Sequence, residues 1–427
     1  MEFDMEELKR RRQEREKLRQ EQQKQQKKTV LRLVIAAVVL LACGILIFVI
    51  STRNSGENAV PTQTQPETQA TEPTEKEQEA AQTVIHFAAA GDLNITDKVV
   101  GAGSYNYDYT AAFLDVLPLL SKADITAINL EGNLFGEPYG TKYASAPNQL
   151  MTALLNAGVD YVQVANSYAI KNGFSGLVST LQNIRSAGLE TLGAYVSEEE
   201  FRQTGGYSIR VVDGVKVAVV AFTKGMDGMA LPVGSEQCVN LLYTDYSSAY
   251  QKVNTQGITK ILRAIEKEKP DITIALLHWG SEFNDTHSKS QESIRKLMLS
   301  EGVDAIIGTH PHYVQEILYD EAAGTLVAYS LGDFFGDGSR SGTEYSVILD
   351  LEITKDNTTG KTTISNYTYT PIYTVNDEET LRVVRLEEAM ASYQANALGS
   401  VSKETYDNMA YALTRIKDRV TPDLDEE

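Results

Sequence analysis

The sequence contains very little cysteine, and this scarcity excludes some kinds of site. Only two of its 427 residues are cysteine: Cys43 lies inside a long apolar run, and Cys238 lies alone in the later part of the chain. No intrachain disulfide can therefore form in that part, and a chain of this length can bury a large core without one. The sequence also has no Gly-x-Ser-x-Gly segment and no histidine near Cys238, which argues against a serine or cysteine triad.

Basic residues are also scarce beyond the first segment of the chain. The formal net charge is −19. Residues 1–32 contain eleven Lys or Arg and seven Asp or Glu, which leaves 28 basic and 51 acidic residues in the remainder. This acidity argues against nucleic acid as a partner, because phosphate backbones bind to basic faces. It also disfavours a broad electrostatic groove for a polyanion.

The long apolar run Leu33–Ile50 predicts a membrane anchor. As a helix its 18 residues would span about 27 Å, close to the thickness of a hydrocarbon core, whereas a cleaved signal peptide has a shorter apolar region. Because the basic block precedes the run, we expect residues 1–32 to form a charged cytoplasmic helix and the main domain to be extracellular. Residues 51–82, rich in Thr, Gln, Glu and Pro, are expected to form a disordered stalk. The sequence thus predicts a single-pass protein of the cell membrane.

From residue 83 onward, apolar runs of strand type alternate with amphipathic stretches of helix type, which is typical of an α/β fold. The predicted strands are Val84–Ala90, Ile125–Leu130, Tyr161–Ala165, Tyr207–Val212, Val215–Phe222, Ile272–Leu277 and Asp304–Ile307. The predicted helices are Tyr109–Leu120, Pro147–Ala157, Gly176–Ala187, one within Tyr246–Lys269, and Ser288–Glu301.

The later part of the chain is rich in strands. We expect Thr325–Leu331, Tyr345–Ile353 and Thr362–Tyr373 to form a second sheet. Residues 83–376 are therefore predicted to be a layered α/β sandwich with two β-sheets, preceded by one transmembrane helix. Residues 377–427 are predicted to be a helical extension that packs on the outside.

Polar side chains follow several of the predicted strands at the same end. Ligands bind at the carboxyl ends of strands in open α/β sheets, and neutral imidazoles gathered there are a common way to hold a transition metal. Pro311, between two of the histidines, restricts its own φ and favours extended geometry at the preceding residue, so we expect a rigid bend. Each histidine alone can also be a hydrogen-bonded loop residue. The strand-end residues are Asp92, Glu131, Asn166, His278, His310 and His312.

Three segments resemble the CapA-type poly-gamma-glutamate capsule synthesis proteins, which share a metallophosphatase-like (calcineurin-like) fold. They are His278-Trp279-Gly280-Ser281-Glu282, Gly308-Thr309-His310-Pro311-His312-Tyr313-Val314-Gln315 and Tyr329-Ser330-Leu331-Gly332-Asp333-Phe334. Ala90-Gly91-Asp92 and Asn129-Leu130-Glu131 fit the same pattern in the same order. The resemblance covers roughly Val84 to Tyr373.

The resemblance implies a metal site. Metal ligands in the resembling fold are strand-end carboxylates, an Asn and several His, which here implies Asp92, Glu131, Asn166, His278, His310 and His312. Carboxylates with imidazoles suit Mn, Fe or Zn better than Ca or Mg. For the two carboxylates, a purely structural role such as helix capping is an alternative. Glu282 also matches the family and either orients His278 or faces solvent.

One motif departs from the family pattern. Where the family usually shows Ala-Asn-Asn-His followed by an Asp and a Gly, this chain has Ser167, Tyr168 and Asn172 in place of the second Asn, the His and the Asp. Serine is a poorer metal ligand than an amide carbonyl, and a tyrosine with a pKa near ~10 is a weaker proton donor at neutral pH than imidazolium. We therefore expect a site short of a ligand and of its acid, unless Asn166 substitutes by a small shift.

Three functions are compatible with these features. The first is a membrane-anchored extracellular protein for biosynthesis, assembly or export of an anionic capsule polymer, such as poly-gamma-glutamate, at the bacterial cell surface, working with membrane-bound synthase or export partners. The second is a metal-dependent phosphoesterase or amide hydrolase, with Tyr168 and Glu282 as candidate catalytic residues. The third is a scaffold domain that has kept the fold and lost the chemistry.

Overall fold

The computed structural model describes residues 81–377, 380–399 and 401–421. The predicted cytoplasmic helix, the predicted anchor and all but the last two residues of the predicted stalk lie outside these ranges. Among the helices that are described, none combines the length and the apolar character needed to cross a membrane.

The described residues alternate between strands and helices as far as the middle of the chain and then become rich in strands, as predicted. The strands are β1 (Gln82–Asn94), β2 (Ile125–Glu131), β3 (Tyr161–Gln163), β4 (Glu190–Leu192), β5 (Ser208–Val212), β6 (Val215–Thr223), β7 (Ile272–His278), β8 (Ala305–Thr309), β9 (Ile317–Asp320), β10 (Thr325–Ala328), β11 (Asp333–Phe335), β12 (Tyr345–Asp356), β13 (Thr362–Asn376) and β14 (Leu381–Arg385). The helices are α1 (Asp97–Gly101), α2 (Thr110–Phe113), α3 (Leu117–Lys122), α4 (Gln149–Ala157), α5 (Gly173–Ser186), α6 (Glu198–Thr204), α7 (Thr255–Lys267), α8 (Lys289–Ser300), α9 (Leu386–Gln394) and α10 (Lys403–Val420).

Two sheets form the centre of the fold. The first has eight strands in the order β14-β13-β12-β1-β2-β3-β4, with β11 paired to β1. Within it β1, β2, β3 and β4 run parallel, while β12, β13 and β14 are antiparallel to their neighbours. The second sheet has six strands in the order β5-β6-β7-β8-β10-β9, and β6, β7, β8 and β10 run parallel. The two-sheet α/β sandwich expected from the sequence is therefore confirmed.

Alternate residues of the inner strands enter different apolar cores, which makes the fold layered. Along β7, Ile274 and Leu276 belong to a core shared by the two sheets, whereas Ala275 and Leu277 belong to a core between the second sheet and the helices α7 and α8. A third core lies between the first sheet and the helices α2 to α5. A strand buried on both faces must be apolar throughout, which explains its continuous hydrophobic run.

Capping residues define where α7 and α8, the helices that pack on the second sheet, begin. Asn254 accepts a hydrogen bond from the backbone N–H of Gly257 and caps α7. Ser288 and Gln291 form a reciprocal capping box at the start of α8. These helices return the chain to the amino ends of β7 and β8, so the carboxyl ends of both strands meet at one edge.

One predicted helix and the predicted sheet of two strands differ from the structure. The helix predicted over Tyr109–Leu120 is divided into α2 and α3, because Pro118 lacks an N–H and occupies the first turn of the second helix. The sequence predicts that β10, β12 and β13 lie in one second sheet. Of these three strands, β10 alone belongs to the second sheet, whereas β12 and β13 extend the first sheet through the pairing of β12 with β1.

The C-terminal segment begins with a strand, β14, and not with a helix as predicted. The two helices that follow contribute Leu386, Met409 and Ile416 to the core shared by the sheets. Near the end of α10, Arg415 and Arg419 both lie within ion-pair distance of Asp285, at 3.4 and 3.3 Å. This segment therefore contacts the loop that follows β7.

Candidate functional site

The carboxyl ends of parallel strands from both sheets meet at one edge and gather five of the predicted side chains there. Asp92 lies near the end of β1, Glu131 and His278 are the last residues of β2 and β7, and His310 and His312 follow β8. All five are buried, with Asp92 and His278 fully so.

Asp92 is held by hydrogen bonds from two other strand ends. The side-chain amide of Asn129 donates to Asp92 Oδ1 at 2.5 Å, and the backbone N–H of His310 donates to Asp92 Oδ2 at 2.9 Å. Its own N–H donates to the carbonyl of Gly332 at 3.0 Å. The backbone passes so close here that a Cβ at Gly91 would overlap that carbonyl oxygen. These contacts join the two sheets at the site.

Glu131 is a buried carboxylate with an unusual lack of donors. His278 Nε2 lies 2.9 Å from Glu131 Oε1 and His312 Nε2 lies 3.6 Å from Oε2, but neither carboxylate oxygen accepts a hydrogen bond of good geometry. Buried polar atoms are nearly always satisfied, so an orphaned pair at a strand end calls for a missing partner. A cation supplies such a partner.

His278 is positioned by three polar neighbours. Its Nδ1 lies 3.2 Å from Thr309 Oγ1 and 3.4 Å from Asn129 Nδ2, while its Nε2 lies 3.0 Å from Ser167 Oγ. The next residue, Trp279, is fully buried and donates from Nε1 to the carbonyl of Tyr329 at 2.9 Å. The end of β7 is thus fixed by packing as well as by hydrogen bonds.

The bend at Pro311 differs from the expected extended geometry. His310 has a φ of +93° and His312 has a φ of +59°, a region that non-glycine residues rarely adopt. Tertiary contacts outweigh the local preference before proline, because the N–H of His310 is taken by Asp92 and its ring lies between Ser167 and Lys224. Such backbone strain is concentrated at functional sites in proteins.

The structure adds four side chains that were not among the predicted site residues. Asp333 Oδ1 lies 2.7 Å from His312 Nδ1, and Lys224 Nζ lies 3.2 Å from His310 Nε2. Asn129 and Ser167 contact, as described above, the cluster formed by Asp92, Glu131, His278, His310 and His312. Asn129 had a sequence signal, since it lies two residues before Glu131 on the same strand face. Lys224 follows β6 and so had the same strand-end signal, but a lysine was not among the predicted ligand types.

Three sets of side chains among the described residues could hold a metal ion. The first consists of Asp92, His312 and Asp333, and the second of Glu131, His278 and His310. The third consists of Glu282, His310 and His312 and so shares one histidine with each of the others; within each set the donor atoms lie within 4.8 Å of one another. A mixture of carboxylate oxygens and imidazole nitrogens suits Mn, Fe or Zn. The unpaired oxygens of Glu131 meet the same requirement, so the residues present fit a divalent metal.

Burial and mutual charge shift the pKa values across the cluster. Burial, together with Glu131 and Asp333, raises the pKa of Asp92, and burial raises the pKa of Glu131 to about 7. Burial lowers the pKa of His278 and of His310, so both rings are neutral at physiological pH. Neutral imidazoles have a free nitrogen for a metal.

His312 behaves in the opposite way. Burial disfavours its protonated form, but the carboxylates of Asp333 and Glu131 outweigh that effect and raise its pKa. A divalent cation would compensate the same carboxylates and replace this proton.

Asn166, in the motif that departs from the family pattern, is held by hydrogen bonds within the protein. The amide of Asn166 donates to Asn129 Oδ1 and to the carbonyl of Leu130, and its oxygen accepts from the N–H of Tyr168. Its hydrogen-bonding groups are thus engaged within the protein. Ser167 is the residue whose side chain lies among the imidazoles, 3.0 Å from His278 and 3.4 Å from His310.

The two candidate catalytic residues lie at the rim of the cluster. Burial and the nearby Glu131 raise the pKa of Tyr168 to about 12, which makes its phenol an even poorer acid than usual. Glu282 is exposed, and its carboxylate approaches His310 and His312 without a hydrogen bond to His278.

Two cavities adjoin the cluster. One, of about 280 Å³, is lined by residues that include Glu131, Tyr168, Phe283, His312 and Asp333. The other, of about 230 Å³, is lined by Ser167, Lys224, Gly225, Asp227, Tyr250, Ser281, Glu282 and His310. A larger groove of about 720 Å³ lies elsewhere, at the amino ends of β7 and β8, away from the cluster. The two cavities at the cluster give ligands access from solvent.

Comparison with known proteins identifies relatives of this chain. The family model described as "Bacterial capsule synthesis protein PGA_cap" matches residues 86–337. A capsule biosynthesis protein CapA of Bacillus anthracis is 28% identical over 262 residues, which cover 60% of each chain. A PGA biosynthesis protein CapA of Bacillus subtilis is 25% identical over 262 residues, covering 58% of this chain and 62% of that protein. The match therefore spans about three fifths of the length of these relatives.

Solved structures with a similar course of the chain were also found. One is described as a novel phosphatase of Mycoplasma pneumoniae, with a TM-score of 0.42, 14% identity, and coverage of 69% of this chain and 95% of that one. Another is a putative 5'-nucleotidase from Staphylococcus aureus, with a TM-score of 0.40, 11% identity, and coverage of 78% and 58%.

Proposed function

This chain belongs to the family of bacterial capsule synthesis proteins, and on that premise we propose that it is an accessory protein in the biosynthesis, assembly or export of an anionic capsule polymer, with poly-gamma-glutamate as the first candidate. The names of its relatives in Bacillus anthracis and Bacillus subtilis support this proposal. The observation that carries it is the gathering of five strand-end side chains inside the region matched by the family model.

We further propose that residues 33–50 anchor the chain in the cell membrane with residues 1–32 in the cytoplasm. The support is the apolar run and the basic block before it. Protease added to intact protoplasts should then digest the domain that begins at residue 83 and leave a short protected N-terminal fragment. Full protection of the domain in intact protoplasts, with digestion only after lysis, would reverse the orientation.

The proposed role in polymer production is tested in a strain that lacks the chain. Full-length protein should restore the amount and length of surface polymer, and a variant without residues 83–376 should not. A His278→Ala, His310→Ala, His312→Ala variant separates the role of the site from that of the fold. If this triple variant restores polymer as well as wild type, the domain acts as a scaffold and the cluster is not needed.

A second candidate is a metal-dependent phosphoesterase or amide hydrolase at the cell surface, and the orphaned carboxylate of Glu131 favours it. A divalent ion held by these residues would supply an activated water and polarise the bond to be cleaved. Against it stand Ser167 and Tyr168, which replace a better ligand and a better acid. Full-length protein supplied with Mn, Fe or Zn should then hydrolyse a phosphoester or a gamma-glutamyl polymer, and His310→Ala should abolish the reaction. Inactivity of the wild type with a measured full complement of metal would rule this candidate out.

A further inference from the structure

The cavity that opens beside His312 contains a basic side chain without an acidic partner. Arg340 lines this cavity together with Glu131, Asp333 and Asp337, and among its described lining residues no other Lys or Arg occurs. Within the described part of the chain, no carboxylate lies at ion-pair distance from its guanidinium. The nearby Arg419 differs, since it pairs with Asp285. Arg340 is exposed to solvent at this acidic cavity, so its guanidinium is available to an anion.

An aromatic stack holds the guanidinium next to the cluster. The guanidinium carbon of Arg340 lies 3.6 Å from the ring centroid of Phe283. Phe283 in turn stacks on the ring of His312, with centroids 5.3 Å apart and an interplanar angle of 25°. A cation–π contact covers one face of the guanidinium and leaves its N–H edges free to bind a planar anion.

The loop that carries Arg340 is fixed by its own hydrogen bonds. The carbonyl of Arg340 accepts from Thr343, from its N–H at 3.0 Å and from its Oγ1 at 2.8 Å. The Tyr313 hydroxyl donates to the carbonyl of Ser341 at 2.8 Å. A backbone held in this way positions the arginine before a ligand arrives, so less conformational entropy is lost on binding.

We propose that Arg340 binds one carboxylate of an acidic polymer segment, and that the neighbouring part of the same segment lies on the His312 side of the cluster. This inference rests on the proposed function and names the chemistry that the site selects. A carboxylate matches the forked N–H groups of one arginine. A phosphate dianion fits less well, because the cavity also contains the carboxylates of Glu131, Asp333 and Asp337, which outnumber its one histidine and repel the second negative charge.

The test measures binding of a gamma-linked tetraglutamate to the purified full-length chain by calorimetry. Arg340→Met should weaken binding at least tenfold, and Arg340→Lys should recover only part of the loss, because lysine keeps the charge but not the fork. Arg263→Met is the matched control: Arg263 is an exposed arginine in the groove at the amino ends of the strands, and its loss should leave affinity unchanged. Metal content should be equal in all four proteins, which shows that the cluster is intact.

The outcomes separate this inference from the proposed function. Unchanged affinity in Arg340→Met, with clear binding by wild type, overturns the role of Arg340 and leaves the proposed function standing. Tighter binding of a glycerol phosphate oligomer than of tetraglutamate overturns the assignment to a carboxylate. No binding of tetraglutamate by wild type overturns both the choice of polymer and the inference.

Discussion

Asp333 and Asp92 lie side by side, because they are register partners in the parallel pairing of β11 with β1. The His312 ring lies between them: its Nδ1 atom is at 2.7 Å from Asp333 Oδ1 and at 3.9 Å from Asp92 Oδ2. The three-residue strand β11 therefore places a third carboxylate in the site, in addition to those of Asp92 and Glu131.

Asp333→Asn should reduce metal binding sharply. It removes one of the three donors of the set formed with Asp92 and His312, and it also removes the partner that orients the His312 ring. We expect affinity for Zn or Mn to fall about 10- to 100-fold, measured by chelator competition. Asp337→Asn is the control, since Asp337 lines the same cavity but belongs to none of the metal-binding sets. Equal losses in the two variants would contradict a specific role for Asp333.

Glu131→Gln should stabilise the metal-free protein while weakening its metal binding. The pKa of Glu131 in the folded state, about 7, lies above its ordinary value of 4.5. The stability associated with this group is therefore full below about pH 4.5 and is lost as the pH rises through 7. At pH 8 the neutral amide should gain about 1–3 kcal/mol over the carboxylate, and near pH 4 the difference should vanish.

Thermal unfolding in EDTA at both pH values checks this expectation. Added Mn or Zn should then raise the melting temperature of wild type more than that of the variant. A Glu131→Gln protein that is less stable than wild type at pH 8 without metal would show that the carboxylate has a partner within the protein.

Metal affinity should increase with pH between 6 and 8. Binding requires Glu131 to be ionised and His312 to have a free nitrogen, but the pKa of each is raised in the metal-free site. For Glu131 alone, a pKa of about 7 gives about tenfold weaker binding at pH 6 than at pH 8, and His312 acts in the same direction. Calorimetry in buffers of different ionisation enthalpy should detect proton release on binding. A flat affinity across this range would mean that the metal binds elsewhere.

Lys224→Met should increase metal affinity several-fold. Lys224 Nζ donates to the carbonyl of Gly280 at 2.8 Å and lies 3.2 Å from His310 Nε2, so its positive charge opposes a second cation nearby. Partial burial lowers the pKa of Lys224, and the replacement of this half-buried cation by an apolar side chain should also cost the fold little. Lys296→Met, on the exposed face of α8, serves as the control. Weaker metal binding in Lys224→Met would instead show that the lysine is needed to hold His310 in place.

The sequence predicted the strands of this fold better than it predicted how they pair. The strand predicted at the continuous apolar run Ile272–Leu277 matches β7 to within one residue, because burial on both faces leaves a strong local signal. The pairing of β12 with β1 has no such signal, and β12 was therefore assigned to the wrong sheet. Strand pairing depends on the edges of strands that are distant in the sequence.

The same division applies to the site. His278, His310 and His312 follow strong strand signals, so their convergence could be expected. Asp333 lies in a segment of family-like sequence, but its position beside Asp92 depends on a long-range pairing of β11 with β1. The positive φ of His310 also follows from tertiary contacts that local sequence preference opposes.

The ion pairs of Asp285 with Arg415 and Arg419 tie α10 to the loop that bears Phe283, a residue that lines the cavity beside His312. A recombinant fragment that stops soon after β13 would leave the inner faces of the long antiparallel strands bare and free the loop bearing Glu282 and Phe283. Natural changes in α10 should accordingly alter ligand selection at a distance, and fragments for biochemical work need to extend through Val420.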